Sequence, residues 1–186
     1  MNRGALIAGL VVLCFTGTLA AAEWRMDPAA SRLAFRASYQ GEAAPGVFRE
    51  FDTRLRFDPA RPADARLDVT VKLASADMGS SEINDGIREP EWLHPARFPE
   101  AEFHSTDLRA NGADRYVAAG KLRVKGVERN VEVPFTLKTS GDAADLTGEI
   151  TLDRTAFGVG TGEWASGGII GLDVKVTFSV RLRRVD

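Results

Sequence analysis

Along most of this chain, apolar and charged residues alternate with a period of two. Leu33, Phe35, Ala37 and Tyr39 share one phase, with Arg32, Arg36 and Ser38 on the other. Phe51, Thr53, Leu55 and Phe57 alternate with Asp52, Arg54 and Arg56, and Leu67, Val69, Val71 and Leu73 with Asp68, Thr70 and Lys72. Ala101, Phe103 and Ser105 alternate with Glu102, His104 and Thr106. Four further runs continue the pattern: Tyr116 to Val124, Val131 to Leu137, Leu146 to Leu152 and Leu172 to Leu182. Successive side chains of a strand point to opposite faces, so each run reads as a strand with one buried and one wet face. Eight such strands imply an all-β, antiparallel sheet.

Turn chemistry separates the runs. Asp58-Pro59 and Arg61-Pro62 follow the second, Asn111-Gly112 the fourth, Lys125-Gly126 the fifth and Ser140-Gly141-Asp142 the sixth. Short links make sequential strands neighbours, and an eight-stranded up-and-down barrel is the simplest closed form that leaves no exposed edge. Two stretches break the alternation. Residues 80–93 are polar with scattered Ile and Trp and read as a short helical segment, capped by Ser80 or Ser81 and limited by Gly86 and Pro90. Phe157 to Gly171 is Gly-rich and reads as a long loop.

At the N-terminus, Arg3 precedes an uncharged run from Ala5 to Ala20 that ends in Ala20-Ala21-Ala22. A basic start, a short apolar stretch and small residues at the cut describe a secretory signal peptide over residues 1–22. The run is shorter than the ~20 residues that span a bilayer. Bulky Leu13 before Cys14 argues against lipoprotein processing. Cys14 is the only cysteine, so a mature domain over residues 23–186 has no thiol, disulfide or thiolate metal site. The expected location is the periplasm. With 24 basic and 26 acidic residues interspersed along the chain, no basic stripe suits nucleic acid.

Candidate chemistry is sparse. The two histidines, His94 and His104, lack close metal-ligand spacing, so no metal site is expected. His104 and Ser105 are strand neighbours pointing to opposite faces, which disfavours a hydroxyl nucleophile and its base. Gly158, Gly160 and Gly162 are not followed by the helix a dinucleotide loop requires. Asp153, Arg154 and Glu163, near the Gly-rich loop, support an alternative reading as a small hydrolase or isomerase. The competing expectation places Arg154 in an ion pair on the rim or outside.

What remains is the apolar phase. It is either a packed core or the wall of a cavity, because eight-stranded barrels are just wide enough for side chains or one ligand. Small residues on that phase (Ala37, Thr53, Ser105, Ala118, Gly120, Gly148) weigh toward a cavity. Its expected walls are Phe35, Leu55, Phe103, Leu122, Val133, Phe135, Ile150, Val176 and Phe178. Trp92 and Trp164, in the two irregular segments, suit an entrance where an indole meets water. A membrane barrel with the apolar phase outward has the same alternation, but it carries Trp and Tyr girdles, whereas these two tryptophans fall in loops.

Several motifs together resemble the YceI-like family. They are Asp27-Pro28-Ala29-Ala30-Ser31, the segment from Phe51-Asp52 to Asp58-Pro59, and the stretch His94-Pro95-Ala96-Arg97-Phe98-Pro99 leading to Phe103-His104-Ser105-Thr106. Gly120 to Val127 and Leu152-Asp153-Arg154-Thr155-Ala156-Phe157-Gly158-Val159-Gly160 complete the set, in order along the whole mature chain. The resemblance implies a lipocalin-like eight-stranded barrel that holds a polyisoprenoid or similar amphiphilic lipid, such as a quinone, and is not an enzyme. It implies no cofactor and no catalytic residues. Some relatives are fused or linked to a diheme membrane cytochrome b, making that protein, with a homodimer, a partner candidate. Ala30, where many relatives have His, and the short Pro-containing hairpin around Gly41 to Gly46 depart from the pattern and bear on ligand identity.

Overall fold

The computed structural model describes residues 21–185, so the leader read at residues 1–22 lies almost wholly outside them. The strands are β1 (Ala22–Met26), β2 (Arg32–Tyr39), β3 (Glu42–Phe48), β4 (Phe51–Phe57), β5 (Arg66–Lys72) and β6 (Ala76–Asp77), followed by a short helix, α1 (Ser81–Gly86). Then come β7 (Glu100–Ala110), β8 (Arg115–Val124), β9 (Val127–Ser140), β10 (Ala143–Asp153) and β11 (Asp173–Val185). Eight strands close a ring in which β1, β4, β5, β7, β8, β9, β10 and β11 each pair antiparallel with the next, and β11 returns to β1. The expected barrel is present.

Its membership differs from the sequence reading. The run Leu33 to Tyr39, which alternation makes the first barrel strand, is β2, and the strand that closes the ring is β1, which precedes the first alternating run. Long β11 serves both: Leu182–Val185 pair with β1, while Lys175–Ser179 pair with β2. Between β1 and β2 the chain steps aside in a single 3-10 turn at Pro28–Ala30. Asp27 accepts from the Ala29 N–H at 3.2 Å and binds Arg183, and Ser31 Oγ donates to the Asp27 carbonyl at 2.7 Å. From β2 the sheet continues through β3 to β6, forming an extension that raises one wall of the barrel.

Phase follows expectation. Ion pairs such as Arg109–Glu132, Lys121–Glu128, Lys175–Glu149 and Arg181–Asp145 lie on the outer surface, and the apolar phase points inward. That is the reverse of a membrane-spanning barrel, whose lipid face must be apolar. In β7 the register shifts between Ser105 and Asp107, so Leu108, three residues after Ser105, also points inward and is buried. Such a bulge breaks strict alternation.

Filling is uneven along the barrel. One end is packed solid by Trp24, Leu55, Phe57, Leu67, Leu108, Phe135, Leu137, Leu146 and Leu182, with Ala65 and Ala118 in the gaps. Toward the other end, phenylalanines lie against glycines of neighbouring strands. A Cβ on Gly46 would stand 2.3 Å from the Phe35 ring, and one on Gly148 would stand 2.5 Å from both the Phe178 ring and the Pro134 carbonyl oxygen. The glycines thus let the rings lie against the wall, which clears the lumen.

Candidate functional site

Above the solid end, the barrel and its extension enclose a cavity of about 930 Å³. That is near the top of the ~300–1,000 Å³ range of small-molecule sites. Of the residues expected from sequence, Phe35, Trp92, Phe103, Leu122, Val133, Ile150, Trp164, Val176 and Phe178 line it. Leu55 and Phe135 do not. Both lie on the inward phase but at the packed end, Leu55 opposite Trp24 and Phe135 stacked on Tyr116 with ring centroids 5.6 Å apart. Further wall residues escaped the sequence reading: Phe48 on β3, Met78, Ile83 and Ile87 in and around α1, and Val159 and Ile170 in the Gly-rich loop. They fall in segments without a period, so no sequence signal marked them.

A two-part cap covers the chamber. The first part is α1 and the turns after it. Ser80 caps the helix by accepting from the Ile83 N–H, as the sequence suggested. Asp77 anchors its start. It accepts from the Asn84 amide at 2.9 Å and the Gly79 N–H at 2.8 Å, and it pairs with Arg49. These partners, Asn84 first, hold the Asp77 carboxyl down to about 2. A depressed carboxylate contributes stability that is complete above the unfolded value near 3.8 and is lost as pH falls toward 2. Acidification from pH 4 to pH 2 should therefore loosen this cap before the β-ring. Amide exchange in residues 77–87 checks it, and equal protection there at both pH values would contradict it.

The second part is the loop between β10 and β11, and Arg154 organises it. Arg154 is only 4% exposed. Its Nε donates to the Gly171 carbonyl at 2.9 Å, one terminal nitrogen to the Val159 and Gly160 carbonyls at 2.9 and 3.0 Å, and the other to those of Trp164 and Ile170 at 2.5 and 2.8 Å. The planar guanidinium matches five backbone acceptors with its five N–H groups. Desolvation pulls its pKa below the ordinary value, with neighbouring Asp153 opposing that. The expected rim ion pair is thus replaced by a buried hub, because the loop's curled carbonyls, rather than a carboxylate, satisfy the charge. Gly160 has φ +74°, and a Cβ there would stand 2.1 Å from the guanidinium.

Trp92 lies under Arg154, whose guanidinium sits 5.4 Å from its ring centroid, and 5.8 Å from Trp164. The Glu91 carbonyl accepts the N–H groups of Gly160 and Thr161 at 2.7 and 3.1 Å. Lys125, in the β8–β9 turn, donates to the Gly158 carbonyl at 2.7 Å. The Trp92 and Glu91 contacts join the two parts of the cap over the chamber, and Lys125 ties the loop to the barrel.

The carboxylates considered for acid–base work lie elsewhere. Asp153 caps a turn, accepting from Thr155 N–H and Oγ at 2.8 and 2.6 Å, and these bonds lower its pKa. Glu163 is exposed, and neither carboxylate lines the chamber. His104 points outward to Asp68 at 2.7 Å, whereas Ser105 is buried and accepts from the Leu67 N–H. Among the described residues no group of three His, Cys, Asp or Glu side chains is placed to hold a metal ion.

The YceI-like domain matches residues 24–182. The chain belongs to the YceI-like family. It is 32% identical to protein YceI of Salmonella arizonae over 146 residues, 76% of each chain. It also superposes on BcnA of Burkholderia cenocepacia with a TM-score of 0.81 at 31% identity, covering 84% of this chain and 98% of that one. A polyisoprenoid binding domain of Saccharophagus degradans, implicated in plant cell wall breakdown, shares the fold, with a TM-score of 0.71, 13% identity, and coverage of 87% of this chain and 98% of that one. In this YceI-like barrel the closed ring and the extension from β2 to β6 together make the chamber.

Proposed function

We propose that this protein is an exported, periplasmic carrier that holds the long apolar chain of a polyisoprenoid, such as a quinone tail, inside the barrel, and that it is not a catalyst. The chamber carries the reading: about 930 Å³ walled mainly by Phe, Val, Leu, Ile and Trp side chains. Each 100 Å² of apolar chain removed from water contributes about 2.5 kcal/mol. Several hundred Å² of prenyl chain therefore offset the ~4–15 kcal/mol cost of association. The polyisoprenoid binding domain of Saccharophagus degradans, with the same fold, supports the choice of ligand. Periplasmic location rests on the leader in residues 1–22, and exchange of a quinone with a diheme membrane cytochrome b on the sequence resemblance. Sedimentation of the purified chain reads whether it forms the expected homodimer.

Solvent extraction of the mature protein followed by mass spectrometry should release a prenyl lipid. Repeated absence of any lipid, together with failure to bind added prenyl chains, would count against the carrier reading.

A further inference from the structure

Basic residues are scarce where a ligand's head would sit. Arg154 is the only Lys, Arg or His among the described residues that line the chamber. Its five N–H groups already donate to five backbone carbonyls, so an anion can engage it only by displacing a loop carbonyl. Of the chamber-lining residues, Tyr39 and Ile83 are 51% and 48% exposed, and Glu82 is exposed beside Ile83 on α1, which places these three at the rim. The nearby Arg88 is committed to the Asp85 carboxylate and the Ala74 carbonyl, both at 3.2 Å.

Building on the carrier reading, we propose that this chamber selects long apolar chains ending in an uncharged head and discriminates against the same chain ending in a phosphate or carboxylate. An anionic head drawn inward exchanges water for a wall with no spare donor among its cationic side chains, and desolvating an ion without a partner is costly. Held at the rim, it meets the Glu82 carboxylate, and like charges at close range repel. A hydroxyl or quinone carbonyl loses far less in either position and leaves the apolar chain to supply the affinity.

The test uses the delipidated protein titrated with a long polyprenol and with the monophosphate of the same chain, read by the fluorescence of Trp92 and Trp164. The polyprenol should bind at least tenfold tighter, and Glu82→Lys should move the ratio of the two affinities toward the phosphate. Equal or tighter binding of the phosphate overturns this inference while leaving the carrier reading intact. An unchanged ratio in Glu82→Lys overturns the part assigned to the rim. Binding of neither chain removes the carrier reading itself, and this inference with it.

Discussion

Arg154→Met should destabilise the protein by about 3–5 kcal/mol and open the chamber's roof. The substitution keeps much of the apolar stem but removes all five donors to the carbonyls of Val159, Gly160, Trp164, Ile170 and Gly171. A buried acceptor left without a partner costs about 1–3 kcal/mol. The loop recovers part of this by swinging its carbonyls toward water, so the total falls below five full penalties. That same movement releases Trp164 from Trp92. Urea denaturation measures the loss, and amide exchange across residues 157–171 shows where it falls. Arg154→Lys should recover less than half of it, because a single ammonium offers three donors and no planar fork. A Met variant with unchanged stability and unchanged loop protection would remove Arg154 from its role as hub.

Val133→Asp should abolish lipid retention, lowering affinity by at least about 100-fold while the barrel persists. Val133 sits on β9 opposite Ala118 and lines the chamber, with apolar neighbours such as Leu122 and Val131 in the same wall. A ligand entering the V133D chamber would strip water from a carboxylate set among apolar side chains, a loss of several kcal/mol. Burial raises the pKa of such a group, so part of the retention should return on acidification, when the carboxyl becomes neutral. Asn130→Asp, on the outward phase of the same strand opposite Lys121, is the control and should keep the lipid. Mass spectrometry of the extracted variants decides. A folded V133D protein that still carries its lipid at neutral pH would mean that the ligand does not occupy this face.

The recovered and missed residues divide along a physical line. Phe103, Leu122 and Val176 were legible as wall residues because alternation comes from the pleat, and the pleat is local. Leu108, in the packed end, was not legible as inward-facing, because the bulge after Ser105 shifts the phase of β7. Strand β1 was missed because it is short and buries mainly Trp24, and β3 because Pro45 and Gly46 interrupt it. Alternation alone makes the glycines on the apolar phase open space. In the folded chain Gly148 instead lies close against the Phe178 ring, and the space appears in front of that ring.

The sequence by itself determined which face of each strand is apolar, where the chain turns, and that a short capped helix and a glycine-rich loop interrupt the sheet. Each of these depends on residues a few positions apart. Only the tertiary structure decided that β1 closes the ring, that Leu55 and Phe135 lie in the packed end while Phe35 and Val133 line the chamber, and that Arg154 is a buried hub. Depth along a barrel depends on where distant strands meet and how much side-chain volume fills each level. The satisfaction of a buried guanidinium depends on carbonyls that come together only once the loop from β10 to β11 has folded back over the end of the barrel.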